Sequence, residues 1–265
     1  MSVSPLKTLR VDALTVQIYE SPEAVALAAS NRVGQILNQA IEARNEAIAI
    51  FATGRSQVQF LDHITSRKDI RWNQITGFHL DEYLGISATH PASFRDYLNQ
   101  HLVKKVDFAN WYGIAGDAQQ PLEECDRYGQ LLQQKPADLC CLGVGNNGHL
   151  AFNDPSVADF CDRRLVKLVR LDEQNRQQQI DSTSFKTLAD VPQYAFTLTI
   201  PAILEAQNLL CLAYGNGKAS IVHKLLTGAV DTQCPASILR RTDHAVLLLD
   251  TAAASDYEPT LSQHV

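Results

Sequence analysis

Between positions 142 and 155 the chain reads Leu142-Gly143-Val144-Gly145-Asn146-Asn147-Gly148-His149-Leu150-Ala151-Phe152-Asn153-Asp154-Pro155. An apolar run stops there at glycines, which allow tight turns and close ligand approach, and a histidine follows with a carboxylate five residues beyond it. Histidine is the side chain that titrates unperturbed near neutrality, so the segment suits a task in which a proton is given and taken back. It reads as an active-site loop. Residues 75–80 have strand character and run into Asp81-Glu82-Tyr83, which puts Asp81 at a strand end. Ligands of open parallel sheets bind beyond the carboxyl ends of the strands, so Asp81 and His149 are expected to face one crevice despite their separation in sequence. A third join, the strand-like run 47–52 followed by Thr53-Gly54-Arg55-Ser56-Gln57, reads as a phosphate cradle built from backbone amides, two hydroxyls and a helix N-terminus.

The elements that must hold these groups alternate strand with helix. Strand-like segments fall at 14–19, 47–52, 75–80, 139–144, 195–199, 209–214 and 245–249, and most are continuous apolar runs, as expected where both faces of a sheet are covered. Helical signals lie between them. Ser21 is a candidate N-cap before Pro22 at the first helical position of a helix continuing through 24–44, and 91–103 and 217–226 read similarly. The expected fold is α/β: a doubly wound, mainly parallel sheet with helices on both faces. A chain of 265 residues with 45% hydrophobic residues can bury a sizeable core, and no linker or repeat divides it, so 1–265 reads as one domain. The polar stretch 159–186 reads as a mobile insertion, a candidate lid.

A net charge of −6 and a pI of about 5.7 argue against a nucleic-acid surface, which needs clustered positive charge. They fit a small anionic ligand held by two or three cations. No run approaches membrane-spanning length and the N-terminus lacks a long apolar core, so no membrane contact and a cytoplasmic location are expected. The six cysteines, at 125, 140, 141, 161, 211 and 234, show no paired metal spacing and read as reduced, with Cys140, Cys141 and Cys211 as small buried hydrophobes.

Taken together, the segments resemble the glucosamine-6-phosphate deaminase/isomerase family, whose Asp-Glu-Tyr and Gly-x-Gly-x-x-Gly-His-x-Ala-Phe-Asn-acidic-Pro signatures occur here in the expected order. The resemblance covers most of the chain and takes in the phosphate turn, Leu171-Asp172-Glu173-Gln174-Asn175-Arg176 and Tyr214-Gly215-Asn216-Gly217-Lys218. It implies a Rossmann-like deaminase/isomerase fold and an amino-sugar 6-phosphate substrate, glucosamine 6-phosphate by default, converted to fructose 6-phosphate and ammonia. Opening the ring, moving a proton from C2 to C1 and expelling the amine involve no hydride, so no cofactor and no metal are expected. The resemblance includes monomers and larger assemblies, which leaves a homo-oligomer open.

By the same resemblance Asp81 is the base that carries the proton between C2 and C1, and His149 moves a proton between O5 and O1, with Asp154 suited to fix its tautomer. The bland alternatives are an Asp that caps the next turn and a structural loop histidine. Glu82 reads either as a support for the local backbone or as a neighbour contact. Asn147 stands where the family has an acid, and Asp154 where it has a glutamate. The Asn147 amide oxygen can accept a hydrogen bond from the imidazole but supplies no charge, so a less basic His149 is expected. Thr53, Gly54, Ser56, Arg176 and Lys218 are the expected phosphate ligands, with Arg55 in place of a family glycine. Val157, Arg164 and Lys167 match the family's allosteric segment poorly, and that regulation is not expected. Two other functions compete: a 6-phosphogluconolactonase, disfavoured by Asp81-Glu82-Tyr83 and the residues after His149, and a noncatalytic sugar-phosphate sensor. The galactosamine epimer stays open as substrate.

Overall fold

A computed structural model describes residues 3–182 and 185–257. In chain order its elements are β1 (Lys7–Val11), β2 (Leu14–Tyr19), α1 (Pro22–Arg44), β3 (Ala47–Phe51), α2 (Arg55–Ser66), β4 (Ile75–His79), β5 (Asp81–Tyr83), α3 (Phe94–His101) and β6 (Asn110–Tyr112). There follow α4 (Pro121–Gln133), β7 (Leu139–Gly143), β8 (Val166–Arg170), α5 (Glu173–Ser182), β9 (Tyr194–Leu198), α6 (Ile200–Leu204), β10 (Leu209–Ala213), α7 (Ala219–Thr227) and β11 (Ala245–Asp250). Eight strands form one sheet in the order β1-β2-β11-β10-β7-β3-β4-β6. Every pairing in it is parallel except that of β1 with β2.

Period-2 alternation sends the residues of each central strand into two cores. Ala49, Phe51, Cys141, Leu210, Leu212 and Leu248 face α1, α2 and α3, whereas Ile50, Cys140, Leu142, Cys211 and Leu247 face α4, α6 and α7. Burial on both faces explains why these strands read as unbroken apolar runs. Cys140, Cys141 and Cys211 are fully buried in β7 and β10, where they pack as small hydrophobes. The start of α1 follows its sequence signal: Ser21 Oγ accepts from the Ala24 amide at 3.2 Å, and Pro22 occupies the first turn. Among the described residues no helix is long and apolar enough to cross a membrane.

The chain departs from the expected pattern at residue 80. The strand expected over 75–80 ends at His79, and Asp81 opens β5, which leaves the main sheet and pairs antiparallel with β9. With β8 on the other side of β9, these strands make a second sheet in the order β5-β9-β8. The strand expected over 195–199 therefore belongs to this antiparallel sheet. The polar stretch 159–186 contains β8 and α5, and its residues 183 and 184 lie outside the described set.

One side chain holds the crossing between the two sheets. Tyr128 of α4 is fully buried, and its hydroxyl accepts from the His79 amide at 2.9 Å while lying 3.0 Å from His79 O and 3.1 Å from Tyr112 O. It thus satisfies backbone groups where β4 stops and neither sheet supplies partners. The Tyr128→Phe variant should lose about 1 to 3 kcal/mol of unfolding free energy, the cost of orphaning buried backbone groups. Urea unfolding followed by circular dichroism measures this, and a change below about 0.5 kcal/mol, the range of ordinary surface substitutions, would show that the crossing holds without the hydroxyl.

Candidate active site

Four adjacent strands, β10, β7, β3 and β4, release their carboxyl ends side by side, and the loops that follow carry most of the residues singled out in the sequence. The chain leaves β3 through α2 on one face of the sheet, while β7 and β10 are backed by α4 and α7 on the other. This is a topological switch point, where open parallel sheets form their crevice. The turn after β3 and the loop after β7 touch there. A Cβ added to Gly143 would lie 3.2 Å from Ser56 Oγ, and the buried Gln57 donates through Nε2 to Ser56 Oγ at 3.1 Å and to Leu142 O at 3.3 Å.

Within the loop, His149 Nδ1 lies 3.0 Å from Asp154 Oδ1, and Asp154 is 1% exposed. Asn147 Nδ2 donates to the same Asp154 oxygen at 2.8 Å, and Asn147 Oδ1 accepts from the His149 backbone amide at 3.1 Å. The amide oxygen of Asn147 was expected to meet the imidazole. It meets the backbone of His149 instead, because Asp154 occupies the imidazole nitrogen directly. With Nδ1 donating to the carboxylate, Nε2 carries the lone pair of the neutral ring and is the atom free to exchange a proton. The ring lies over Gly145, where any side chain would collide with it.

Asp81 reaches the same crevice by strand pairing. It is opposite Thr197 in the β5–β9 register, and Thr197 Oγ1 accepts from the Phe152 amide of the loop at 3.1 Å. Asn153 strengthens the junction by donating to Leu150 O at 2.9 Å and Leu198 O at 2.8 Å. On β5, alternation places Asp81 and Tyr83 on one face and Glu82 on the other. The Tyr83 ring packs against Phe152 with centroids 5.2 Å apart, and burial together with the charges of Asp81, Glu82 and Asp154 raises its phenol above the ordinary range. Asp81 is 7% exposed, and among the described residues no donor reaches its carboxylate. Burial, and after it the neighbouring Glu82, holds that carboxyl well above the usual carboxylate range. A buried carboxylate with a raised proton affinity and nothing bonded to it is suited to act as a base.

The turn at the start of α2 is held from behind. Gly54 takes a positive φ of 107°, Tyr97 Oη donates to Gly54 O at 2.9 Å and Tyr214 Oη to Arg55 O at 2.8 Å. No side chain caps α2 and no acid sits in its first turn, so its leading amides remain for an anion. Thr53 and Ser56 flank that end. Lys218 is half-buried, with burial lowering its proton affinity, and its Nζ donates to Val144 O at 2.8 Å and Asn146 Oδ1 at 2.7 Å. Its loop is fixed by Asp250, whose oxygens accept from the Gly215 amide at 3.0 and 3.1 Å.

Arg176 is the exception. Its Nη2 donates to Leu188 O at 2.6 Å and Val191 O at 2.8 Å, and no hydrogen bond or ion pair among the described residues ties it to the turn. Lys167 is likewise engaged nearby, with Val157 O at 2.7 Å and Asp162 at 3.1 Å. Among the described residues no three His, Cys, Asp or Glu side chains gather as a metal set. Sequence reasoning missed Thr197 and Tyr97, whose roles arise from contacts distant in the chain; Gln57 stood inside the cradle segment, and Tyr214 had a local signal, its place at the end of an apolar strand.

Residues 20–248 match the family described as glucosamine-6-phosphate isomerases/6-phosphogluconolactonase. A glucosamine-6-phosphate deaminase of Exiguobacterium sibiricum is 36% identical over 223 residues, covering 83% of this chain and 86% of its own length. Another, of Shewanella woodyi, is 33% identical over 226 residues, covering 83% of this chain and 84% of its own length. A solved structure of a monomeric glucosamine-6-phosphate deaminase superposes with a TM-score of 0.84 at 29% identity, over 91% of this chain and 99% of its own. A 6-phosphogluconolactonase of Shewanella baltica shares the fold, with a TM-score of 0.72 at 19% identity over 89% of this chain and 97% of its own.

The state of Asp81 has a consequence for stability. Because its folded proton affinity is raised, the stability it contributes is full below the unfolded carboxylate value of about 3.9 and is lost as pH rises through the folded value. Above the unfolded value the buried carboxyl is a cost. Asp81→Asn should therefore stabilise the protein at pH 7 to 8, on the order of 1 kcal/mol, with the gain vanishing near pH 3. Urea denaturation of both proteins across that range measures the difference, from which the similarly raised Glu82 cancels. A gain independent of pH, or no gain, would contradict an ionised, unpaired Asp81.

Proposed function

Because the chain belongs to the family of glucosamine-6-phosphate isomerases and 6-phosphogluconolactonases, we propose that it converts an amino-sugar 6-phosphate, glucosamine 6-phosphate by preference, with water into fructose 6-phosphate and ammonia. The observation that carries this reading is the pairing of two unlike proton carriers in one crevice. One is the buried, unbonded Asp81 and the other is His149, oriented by Asp154 with Nε2 free. Binding alone requires neither.

In this reading His149 Nε2 takes the proton from O1 of the cyclic sugar and returns it to O5, which opens the ring to the aldehyde. Asp81 then removes the C2 proton; the C2–H pair becomes a C1=C2 bond, and the C1=O1 pair moves onto O1, which takes a proton from solvent that is given back when ammonia leaves. Asp81 returns its proton to C1, leaving an iminium at C2, to which water adds before ammonia departs. The raised proton affinity of Asp81 favours this exchange with carbon, since a carboxylate of ordinary acidity is a weaker base toward a C–H proton. His149 keeps its tautomer through Asp154, and Asn147 holds that carboxylate from the other side. The 6-phosphate takes the amides at the start of α2, the hydroxyls of Thr53 and Ser56, and Lys218. Arg176 joins them when its segment, roughly 159–186, closes over the ligand and exchanges the carbonyls of Leu188 and Val191 for phosphate.

Ammonia release from glucosamine 6-phosphate and galactosamine 6-phosphate, with hydrolysis of 6-phosphogluconolactone alongside, tests the function. Turnover of the lactone without ammonia from either amino sugar would replace it with the hydrolase reading. Asp81→Asn should lower kcat by about 10²- to 10⁴-fold with KM little changed, because it removes the proton carrier and leaves the phosphate grip. Near-wild-type ammonia release by the purified variant would remove Asp81 from the reaction. Lys218→Ala should cost on the order of 1.5 to 3 kcal/mol in binding, a KM rise of roughly 10- to 150-fold, and an unchanged affinity for the sugar phosphate would exclude the contact.

A further inference from the structure

Glu82 stands beside Asp81 in sequence and turns the other way. It is fully buried, and its two oxygens are occupied: Oε1 accepts from the amides of Tyr83 at 2.9 Å and Phe94 at 3.0 Å, and Oε2 from Ser93 Oγ at 2.7 Å and the Arg95 amide at 2.9 Å. Phe94 and Arg95 are the first two residues of α3, so the carboxylate takes amides that a helix start leaves orphaned, at the end where the helix dipole favours negative charge. Its stem packs against Gly116, where an added Cβ would come within 2.9 Å of Glu82 Cγ. With four donors on two oxygens and no exposure, Glu82 cannot touch a substrate.

We propose that Glu82 is a positioning residue for the reaction, a buried anionic clamp that ties β5 to the first turn of α3 and fixes a negative charge behind Asp81. This rests on the proposed function, since it concerns how Asp81 is held as the base. Two effects follow from one carboxylate. The clamp sets the place of β5, a strand of only three residues whose ladder pairing is with β9 alone. The charge, one residue away in a water-poor site, disfavours ionisation of Asp81 and so strengthens it as a base toward carbon.

The charged and titratable groups around the pair are few. Glu82 faces the Arg95 guanidinium, with Nε 3.4 Å from Oε2, and that guanidinium is shared with Asp117 at 3.0 Å and with Ile86 O at 3.2 Å. Asp81 is faced by Glu82, by the phenols of Tyr83 and Tyr128, and through Tyr83 by Asp154. His79, two residues earlier, is fully buried, and burial with the charge of Arg95 lowers it to about 3, so it stays neutral over the working range. Burial raises Glu82 as well, its four donors work against that, and Arg95 divides its charge between two acids, so Glu82 stands as the negative neighbour of Asp81.

The test compares charge with reach. Glu82→Gln removes the charge and half of the acceptors; kcat should fall at least about 10-fold with KM within about threefold, and the acidic limb of the kcat/KM profile should move down by roughly one pH unit or less. The isotope effect with substrate deuterated at C2 should rise, because proton removal becomes a larger part of the barrier. Glu82→Asp keeps the charge with a shorter reach, so kcat should fall while the acidic limb stays. An acidic limb that does not move in Glu82→Gln, or a loss of activity shared equally by kcat and KM, overturns the proposal. If either variant fails to fold, Arg95→Met decides: it unmasks Glu82, so the acidic limb should move up, and an unmoved limb overturns the charge effect. Wild-type ammonia release is the control, and its absence would overturn the functional reading instead of the clamp.

Discussion

Everything distinctive about the crevice depends on how β9 is used. A parallel α/β sheet brings the ends of β3, β4, β7 and β10 together by topology alone, but topology does not say how far past β4 an acid must lie, or which way it must point. That is settled by one antiparallel pair. Thr197 stands opposite Asp81 through the backbone, and its hydroxyl accepts from the amide of Phe152. Asp81 on β5 and the histidine loop are thereby measured from the same residue. Because the side-chain period of a strand is two, a slip of one residue in that pairing would exchange Asp81 with Glu82 and present the clamped acid to the crevice.

The architecture is legible in the sequence where burial on both faces writes unbroken apolar runs. The segments at 14–19, 47–52, 139–144, 209–214 and 245–249 coincide with β2, β3, β7, β10 and β11 to within one residue at each end, and Ser21-Pro22 marks the start of α1. The missing strands are those whose reasons lie elsewhere in the chain. Asp81-Glu82-Tyr83 is short and acidic and is a strand because β9 and the start of α3 make it one. Val166–Arg170 alternates with charged residues inside a polar stretch, as the outer strand of the small sheet. Part of that polar composition, at 166–170, belongs to an edge strand.

The site divides in the same way. His149, Asp154 and Asn147 sit within eight residues of one another and could be grouped by spacing, yet the spacing did not say which of the two neighbours holds the imidazole. The turn at Thr53 to Ser56 was recognisable from its own residues. The hydroxyls of Tyr97 and Tyr214 that brace its carbonyls come from 43 and 159 residues away, and only Tyr214 has a local mark, its place at the end of an apolar strand. Asp81 is the residue for which local and global preference conflict, a buried carboxylate left without a partner. Such conflicts are tolerated where a reactive group is needed, at some expense in stability.

The strand order also bears on the life of the chain before it is folded. Reading from the N-terminus, β3 and the turn after it are made early, but β7 lies between β3 and β10, and Lys218 comes only after β10. On the ribosome the turn at Ser56 is followed by more than 150 further residues before Lys218, and Asp81 by more than 100 before Thr197. Contacts of such sequence separation form late, because loop closure is costly until neighbouring elements are in place. Nascent and truncated chains thus hold Asp81 and His149 without the contacts that bring β5, the loop after β7 and Lys218 together, and these arrive with the last third of the molecule.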